Sequence, residues 1–162
     1  ATLYEGATGI QALDLIGRKV LGSGGKLLTG FTDVVQAFCE AHSAPEDAEF
    51  IDPLKASMAE WLELSMKSGE AAMENPDEAG AASVDYLMYS GYVTLAYFWA
   101  RMAVLARRKI AEAEGDVSFY EAKLMTAQFY YARMLPRTLT YKRTMLSGAD
   151  NVMSMPEELF AF

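Results

Sequence analysis

A single glutamate stands where a short turn meets the start of a helix, in the run Tyr4-Glu5-Gly6-Ala7-Thr8-Gly9-Ile10-Gln11. It is the one stretch of the chain that reads as chemistry. A carboxylate can act as a base toward a weakly acidic C–H when it is held near the carbon, shielded from water, and made basic by burial. Gly6, lacking a Cβ, would let the backbone approach a bound molecule closely. Thr8 or Gly9 can then begin the helix, with free amide N–H groups pointing at whatever lies before it. As a bare motif, Glu-Gly before a helix is an ordinary solvated loop, so the reading of Glu5 as a base rests on the whole run.

That whole run resembles a signature near the C-terminal end of flavin-dependent acyl-CoA dehydrogenases. The family pattern is Tyr-Glu-Gly-Thr, two variable residues, then Ile-Gln and an amphipathic helix, here Ala12-Leu13-Asp14-Leu15-Ile16-Gly17-Arg18-Lys19-Val20. The resemblance implies that Glu5 removes the proton next to a thioester carbonyl while the neighbouring carbon passes a hydride to FAD, giving a 2,3-enoyl-CoA. It further implies that Gly6 lies against the substrate and that Ala7, Thr8 and Gly9 line the flavin through backbone atoms. Ala7 departs from the family's threonine, so a hydroxyl contact to the flavin is absent or is supplied by Thr8.

Beyond about Leu21 the chain is similar to the helical C-terminal extension of one branch of that family, which includes enzymes like 3-methylmercaptopropionyl-CoA dehydrogenase. On this reading residues 1–22 end a catalytic helical domain and residues 26–162 form the extension. The resemblance then implies a longer parent enzyme whose N-terminal catalytic domains supply the walls for FAD and acyl-CoA. FAD is not expected to bind the 162-residue chain alone. Partners implied for the parent are an acyl-CoA substrate, an electron-transfer flavoprotein and further copies of itself in a homo-oligomer. A reading from another class is a non-enzymatic helical-bundle interaction module with Glu5 an ordinary loop residue.

The elements that must position the turn are all helical. Gly22-Ser23-Gly24-Gly25 reads as a flexible break after the first amphipathic helix. Apolar spacing then predicts a helix from about Lys26 to His42, stopped by Ser43-Ala44-Pro45. Asp52-Pro53 reads as a cap with proline at the first helical position, opening a helix that Asn75-Pro76 closes. A long helix follows from about Asp77 to Ala113, ended by Gly115-Asp116. The last opens on a capping box, Ser118 to Glu121, and runs to Ser147 with a kink or break at Pro136 and a stop at Gly148. Apolar stripes on helices joined by short loops predict an all-α, up-down antiparallel four-helix bundle preceded by one amphipathic helix. The tail is open between a docked helical turn, held by Leu159 and Phe160, and a frayed end.

Composition narrows the function. The chain has 162 residues, 52% of them apolar, with a net charge of −8 and a pI near 4.7. That size and apolar content suffice for one core, and the acidity argues against a general nucleic-acid binder. Cys39, the only cysteine, precludes an internal disulfide and reads as a buried small hydrophobe. His42 is the only histidine, and Glu40 lies on a different helix face, so the Glu-x-x-His pairs of a di-iron bundle are missing and metal catalysis is excluded. Val84 to Leu105 is long enough to span a bilayer, yet Asp85, Arg101 and four tyrosines make it a central bundle helix instead. Its nearly all-round apolar character predicts contact on more than one side. Residues 44–85 hold eleven acidic and two basic residues, whereas 101–143 hold nine basic and four acidic. Arg107-Arg108-Lys109 fits the favoured cations at a helix C-terminus, with coenzyme A phosphates or an acidic partner as the alternative. No signal peptide is visible, and the cytoplasm is the default compartment.

Overall fold

In a computed structural model, residues 2–160 of the chain are described, without the side chains of Thr2 and Glu5. The helices are α1 (Thr2–Glu5), α2 (Thr8–Leu13, continued by a π-helical stretch Asp14–Leu21), α3 (Lys26–Ala41), α4 (Ala48–Glu74), α5 (Asp77–Ala111), α6 (Val117–Phe129), α7 (Thr138–Met145) and α8 (Asp150–Met153). Among the described residues there is no strand. The architecture is the expected all-α bundle, with α5 as its axis: α2, α4, α6 and α7 all pack against it. The antiparallel sense of α4 and α5 is visible in their polar links. Tyr86 shares a 2.7 Å hydrogen bond with Ser65, Tyr89 donates to Glu60 at 2.7 Å, and Arg107 reaches Asp47 at 3.0 Å.

The core forms because each helix turns its apolar stripe inward. Phe50, Ile51, Leu54 and Leu64 of α4 are buried against Tyr86, Tyr89, Val93 and the alanines Ala96, Ala100 and Ala103 of α5. Small residues at these α5 positions leave room for large neighbours to close in. From α3, Phe31 and Phe38 meet the Tyr97 ring edge-on, at centroid distances of 5.9 and 5.5 Å. Ile16 and Val20 of the stretch after α2 enter this same core. The Gly22–Gly25 segment, expected to be a flexible break, is instead a turn closed by backbone bonds. Gly22 N–H donates to Gly17 O at 2.8 Å and Gly25 N–H to Val20 O at 2.9 Å. A Cβ at Gly22 would lie 2.8 Å from Arg18 O, so only glycine lets the π-helical end close.

Two helix boundaries differ from expectation. The proline-first signature that opens the second long helix of the bundle falls at Pro45, which leads the 3-10 turn Pro45–Asp47, and Pro53 lies inside α4. Extending α4 back to Ala48 buries Phe50 and Ile51, and that apolar burial outweighs the one backbone bond Pro53 cannot make. The cap of α6 is Asp116, whose carboxylate accepts from Phe119 N–H at 3.3 Å and from the Ser118 hydroxyl at 2.6 Å, so Ser118 serves the cap without being it. At Pro136 the fifth helix changes register as expected. It passes through a π turn, Tyr130–Met134, and a 3-10 turn, Leu135–Arg137, before α7 resumes.

Aromatic side chains of α5 pair with those of the π turn that follows α6. Trp99 stacks on Tyr130 at 6.2 Å, and the Tyr130 and Tyr131 hydroxyls donate to the Tyr92 and Ala96 carbonyls at 2.7 and 2.9 Å. Tyr86 and Tyr89 turn the other way, toward α4. Phe119 and Phe129 remain exposed. The tail makes the helical turn Glu157–Phe160, but Leu159 and Phe160 stay exposed and do not dock. No helix among the described residues is long and apolar enough to cross a membrane.

Candidate active site

The Tyr4-Glu5-Gly6 run forms a sharp corner between two helices. α1 ends at Glu5, Gly6 takes φ +86°, and Ala7 is extended with φ −69° and ψ 161° before α2 begins at Thr8. A positive φ is accessible to glycine without steric cost, and a Cβ here would also press on Ile10 Cγ2 at 3.3 Å. The glycine is thus required by the corner itself, a reason beyond the close approach expected of it. Ala7 O accepts from Ile10 N–H at 3.0 Å and from Gln11 N–H at 3.2 Å, which starts the helix. The N-cap of α2 is Ala7, which has no polar side chain to cap with, so the helix opens on backbone amides at the corner.

Burial around the corner is one-sided. Ala12, Ile16 and Val20 face the bundle core, while Leu3, Tyr4, Ile10 and Leu13 face away and are exposed. Leu3 and Tyr4 are 96% and 94% exposed. Gly6 and Gly9 are half-buried, and Ala7 and Thr8 are exposed. The Glu5 carboxylate lies outside the described residues, although its backbone closes α1. Gly6, Ala7, Thr8 and Gly9 form one corner with the backbone of Glu5, and exposed apolar side chains flank it in sequence.

Elsewhere the titratable groups serve packing. Arg107 bonds Asp47, Glu49 and the Glu46 carbonyl, and Lys109 pairs with Glu114 at 2.5 Å. The basic group at the end of α5 is thus largely engaged within the chain. Lys142 meets Glu60 at 2.5 Å, and Glu60 also receives the Tyr89 hydroxyl. Burial, reinforced by Glu60, raises the Tyr89 pKa, so this phenol holds its proton. Sequence reasoning missed this cluster, because residues 29 and 82 positions apart carry no local signal of their meeting. Cys39 is buried and its thiol is pushed up chiefly by desolvation, in keeping with a packing role. Among the described residues no group of three or more His, Cys, Asp or Glu side chains is placed to hold a metal ion.

An open cleft of about 960 Å³ lies between the end of α3 and the second half of α5. Phe38, Phe98, Met102 and Leu105 line it, with His42, Arg101 and Arg108 at its polar edge.

These features fall in a chain with clear relatives. Residues 31–156 match the family described as "Acetyl-CoA dehydrogenase C-terminal like". The 3-methylmercaptopropionyl-CoA dehydrogenase of Ruegeria pomeroyi is 32% identical over 138 residues, covering 82% of this chain and 23% of that protein. The broad-specificity linear acyl-CoA dehydrogenase FadE5 of Mycobacterium tuberculosis is 30% identical over 169 aligned positions, covering 98% of this chain and 28% of that protein. The chain thus spans about a quarter of the length of these curated relatives. With an all-α bundle over the matched residues, it belongs to the acetyl-CoA dehydrogenase C-terminal-like family, the C-terminal helical domain of acyl-CoA dehydrogenases.

Proposed function

We propose that the chain is the C-terminal part of a flavin-dependent acyl-CoA dehydrogenase in which Glu5 is the catalytic base. The observation that carries this reading is the Gly6 corner. A glutamate next to a φ +86° glycine, at a helix start with alanine at its cap and with exposed Leu3, Tyr4 and Ile10 near it in sequence, precedes the residues 31–156 that match this family. Residues 1–22 would complete the catalytic helical domain, and residues 26–162 would be the extension that supports packing and subunit assembly.

The chemistry asks of this chain a few definite things. The Glu5 carboxylate takes the proton from the carbon next to the thioester carbonyl, a step that needs a water-poor site and a carboxylate made more basic by desolvation. Gly6 lets the corner sit close to the acyl chain, and Leu3, Tyr4, Ile10 and Leu13 supply the apolar surface that the catalytic domains would cover. The leading amides at Ala7, Thr8 and Gly9 would line one edge of a flavin, and the catalytic domains would supply its other walls. FAD held along these amides would supply the acceptor for the hydride leaving the neighbouring carbon, and an electron-transfer flavoprotein would collect the electrons. Acyl-CoA is the substrate class, and the cytoplasm is the proposed compartment.

The test is Glu5→Gln in the intact parent enzyme. The amide keeps the shape but cannot accept the proton, so the variant should retain flavin and bind acyl-CoA while kcat falls by at least about 10²-fold. Flavin bleaching by substrate at the normal rate would overturn the assignment.

A further inference from the structure

We propose that the rod formed by α6 and α7 lies with its outward ridge on an anionic lipid surface. From Val117 to Met145 the chain is one kinked helical rod, in which the π and 3-10 turns join α6 to α7 and both helices pack on α5. Ala127, Tyr130, Leu135, Thr138 and Met145 are buried on its inner side. Successive residues of a helix turn by about 100°, so Met125 and Phe129 of α6, and Thr140 and Arg143 of α7, come out opposite that side. All four are exposed, as is Arg133 between them. Met125 and Phe129 are 69% and 58% exposed, and Leu139 on the flank is 65% exposed. Exposed apolar side chains that share one face mark a contact surface.

Charge selects the occupant. The sequence from Ala122 to Ala149 holds five basic residues and no acidic one, in a chain whose net charge is −8. Lys142 is engaged by Glu60, and Lys123 lies 5.2 Å from the centre of the Phe119 ring. Arg133, Arg137 and Arg143 are exposed and take part in none of the ion pairs among the described residues. Acids of α4 near the rod are already occupied: Glu49 by Arg107, Glu60 by Lys142 and the Tyr89 hydroxyl, and Glu63 by Lys67. Asp85 of α5 acts on Tyr141, where Arg137 acts against it. Glu121 and Asp150 bracket the basic stretch in sequence without interrupting it.

Arginines beside an exposed ring and thioether match two layers of a bilayer interface at once. Guanidinium groups pair with headgroup phosphates, while Phe129 and Met125 enter the boundary with the acyl chains. A soluble anion would use the arginines and leave those apolar side chains uncovered. At about 0.15 M salt, exposed charges more than about 8 Å apart are largely screened, so the local cations outweigh the total of −8. The rod lies on the surface and does not span it, since no described helix is long and apolar enough to cross. This proposal stands apart from the assignment of Glu5 and can fail without it.

Flotation of the 162-residue chain with lipid vesicles tests it. Vesicles of phosphatidylcholine and phosphatidylglycerol should carry the chain upward, whereas pure phosphatidylcholine should not. Arg133→Glu, Arg137→Glu and Arg143→Glu together should weaken binding at least about 100-fold, and Phe129→Ser about 5-fold, with helical circular dichroism unchanged. Lys19→Glu, Lys26→Glu and Lys55→Glu together make the same change in net charge away from the ridge and should alter binding by less than about 3-fold. Should the triple arginine variant unfold, glutamine at the same three positions decides. No flotation with the anionic vesicles, or an equal loss in the lysine variant, would overturn the lipid surface. Binding that Phe129→Ser leaves intact and that soluble polyglutamate displaces would assign the ridge to an acidic protein instead. In the intact parent, exposed-face amides of α6 and α7 fully protected from hydrogen exchange before vesicles are added would give the face to the catalytic domains.

Discussion

Asp116 shows how a single side chain can be placed by chemistry that its neighbours only hint at. Ser118 followed three residues later by Glu121 has the form of a capping box, but the chain caps α6 with the carboxylate two residues earlier. A carboxylate accepts from a backbone amide more strongly than a hydroxyl does, and Ser118 is left to donate to it. Asp116→Ala should therefore lower the melting temperature by a few degrees, and Ser118→Ala by distinctly less. Thermal melts of both variants give the order directly. The Asp116 pKa is held below the ordinary aspartate value of 3.8, chiefly by the Ser118 hydroxyl and then by Phe119 N–H. A pKa lowered on folding stabilises above the unfolded value and loses that contribution as pH falls through the folded value. The gap between wild type and Asp116→Ala should accordingly close below about pH 3.8.

Among the elements, the stretch from α6 to α7 shows what the sequence can and cannot announce. Pro136 declared a kink, because a proline has no N–H to give and its ring crowds the preceding turn. It did not declare that the chain would widen to a π turn at Tyr130–Met134. That widening accompanies the docking of two adjacent tyrosines on one neighbour, with Tyr130 bonding the Tyr92 carbonyl and Tyr131 the Ala96 carbonyl. Tyr131→Phe should cost about 0.5–1.5 kcal/mol in denaturant melts, the usual net worth of one such bond. An unchanged midpoint would mean that the Ala96 carbonyl finds another donor at no loss. The start of α4 teaches the complementary lesson. Asp52-Pro53 has the local form of a helix opening, and it yields because Phe50 and Ile51 reach a core that only the other helices complete. Helix existence and the bundle class were legible from apolar spacing, whereas caps and starts depended on contacts across the chain. The corner at Gly6 was legible as a helix opening, while its positive φ and one-sided burial were not.

For the whole molecule, the buried tyrosines set the response to alkali. Tyr86, Tyr89, Tyr130 and Tyr131 all have pKa values raised above the ordinary phenol value of 10.0, each chiefly by desolvation. A pKa raised on folding leaves stability intact below the unfolded value and removes it as pH climbs toward the folded value, since the unfolded chain then releases protons that the folded one keeps. The midpoint of urea unfolding should hold steady up to about pH 10 and fall steeply above it. A phenylalanine at Tyr86 or Tyr131 should flatten that fall. Alkaline titration followed by tyrosinate absorbance would show the four phenols ionising together with unfolding and not before it. A smooth, early titration would place their hydroxyls in water.

The contact between Gly69 and Leu21 gives the molecule a tiller. A Cβ on Gly69 of α4 would lie 3.0 Å from Leu21 Cδ2, so the end of the helical run from Thr8 rests close against this glycine and a large side chain there must push Leu21 aside. That run is about 20 Å long, with the Gly6 corner at its opposite end and Ile16 and Val20 as its pivot in the core. A wedge at this contact would swing the far end, where Glu5 would meet its substrate. With Glu5 as the base, Gly69→Leu in the intact parent should keep its flavin and most of its melting temperature while kcat falls at least about 10-fold, because small errors in aim are costly to proton transfer. Stopped-flow reduction of the flavin would read the loss. The extension would then be a means of steering the reactive carboxylate from a distance, by the seating of one leucine on one glycine.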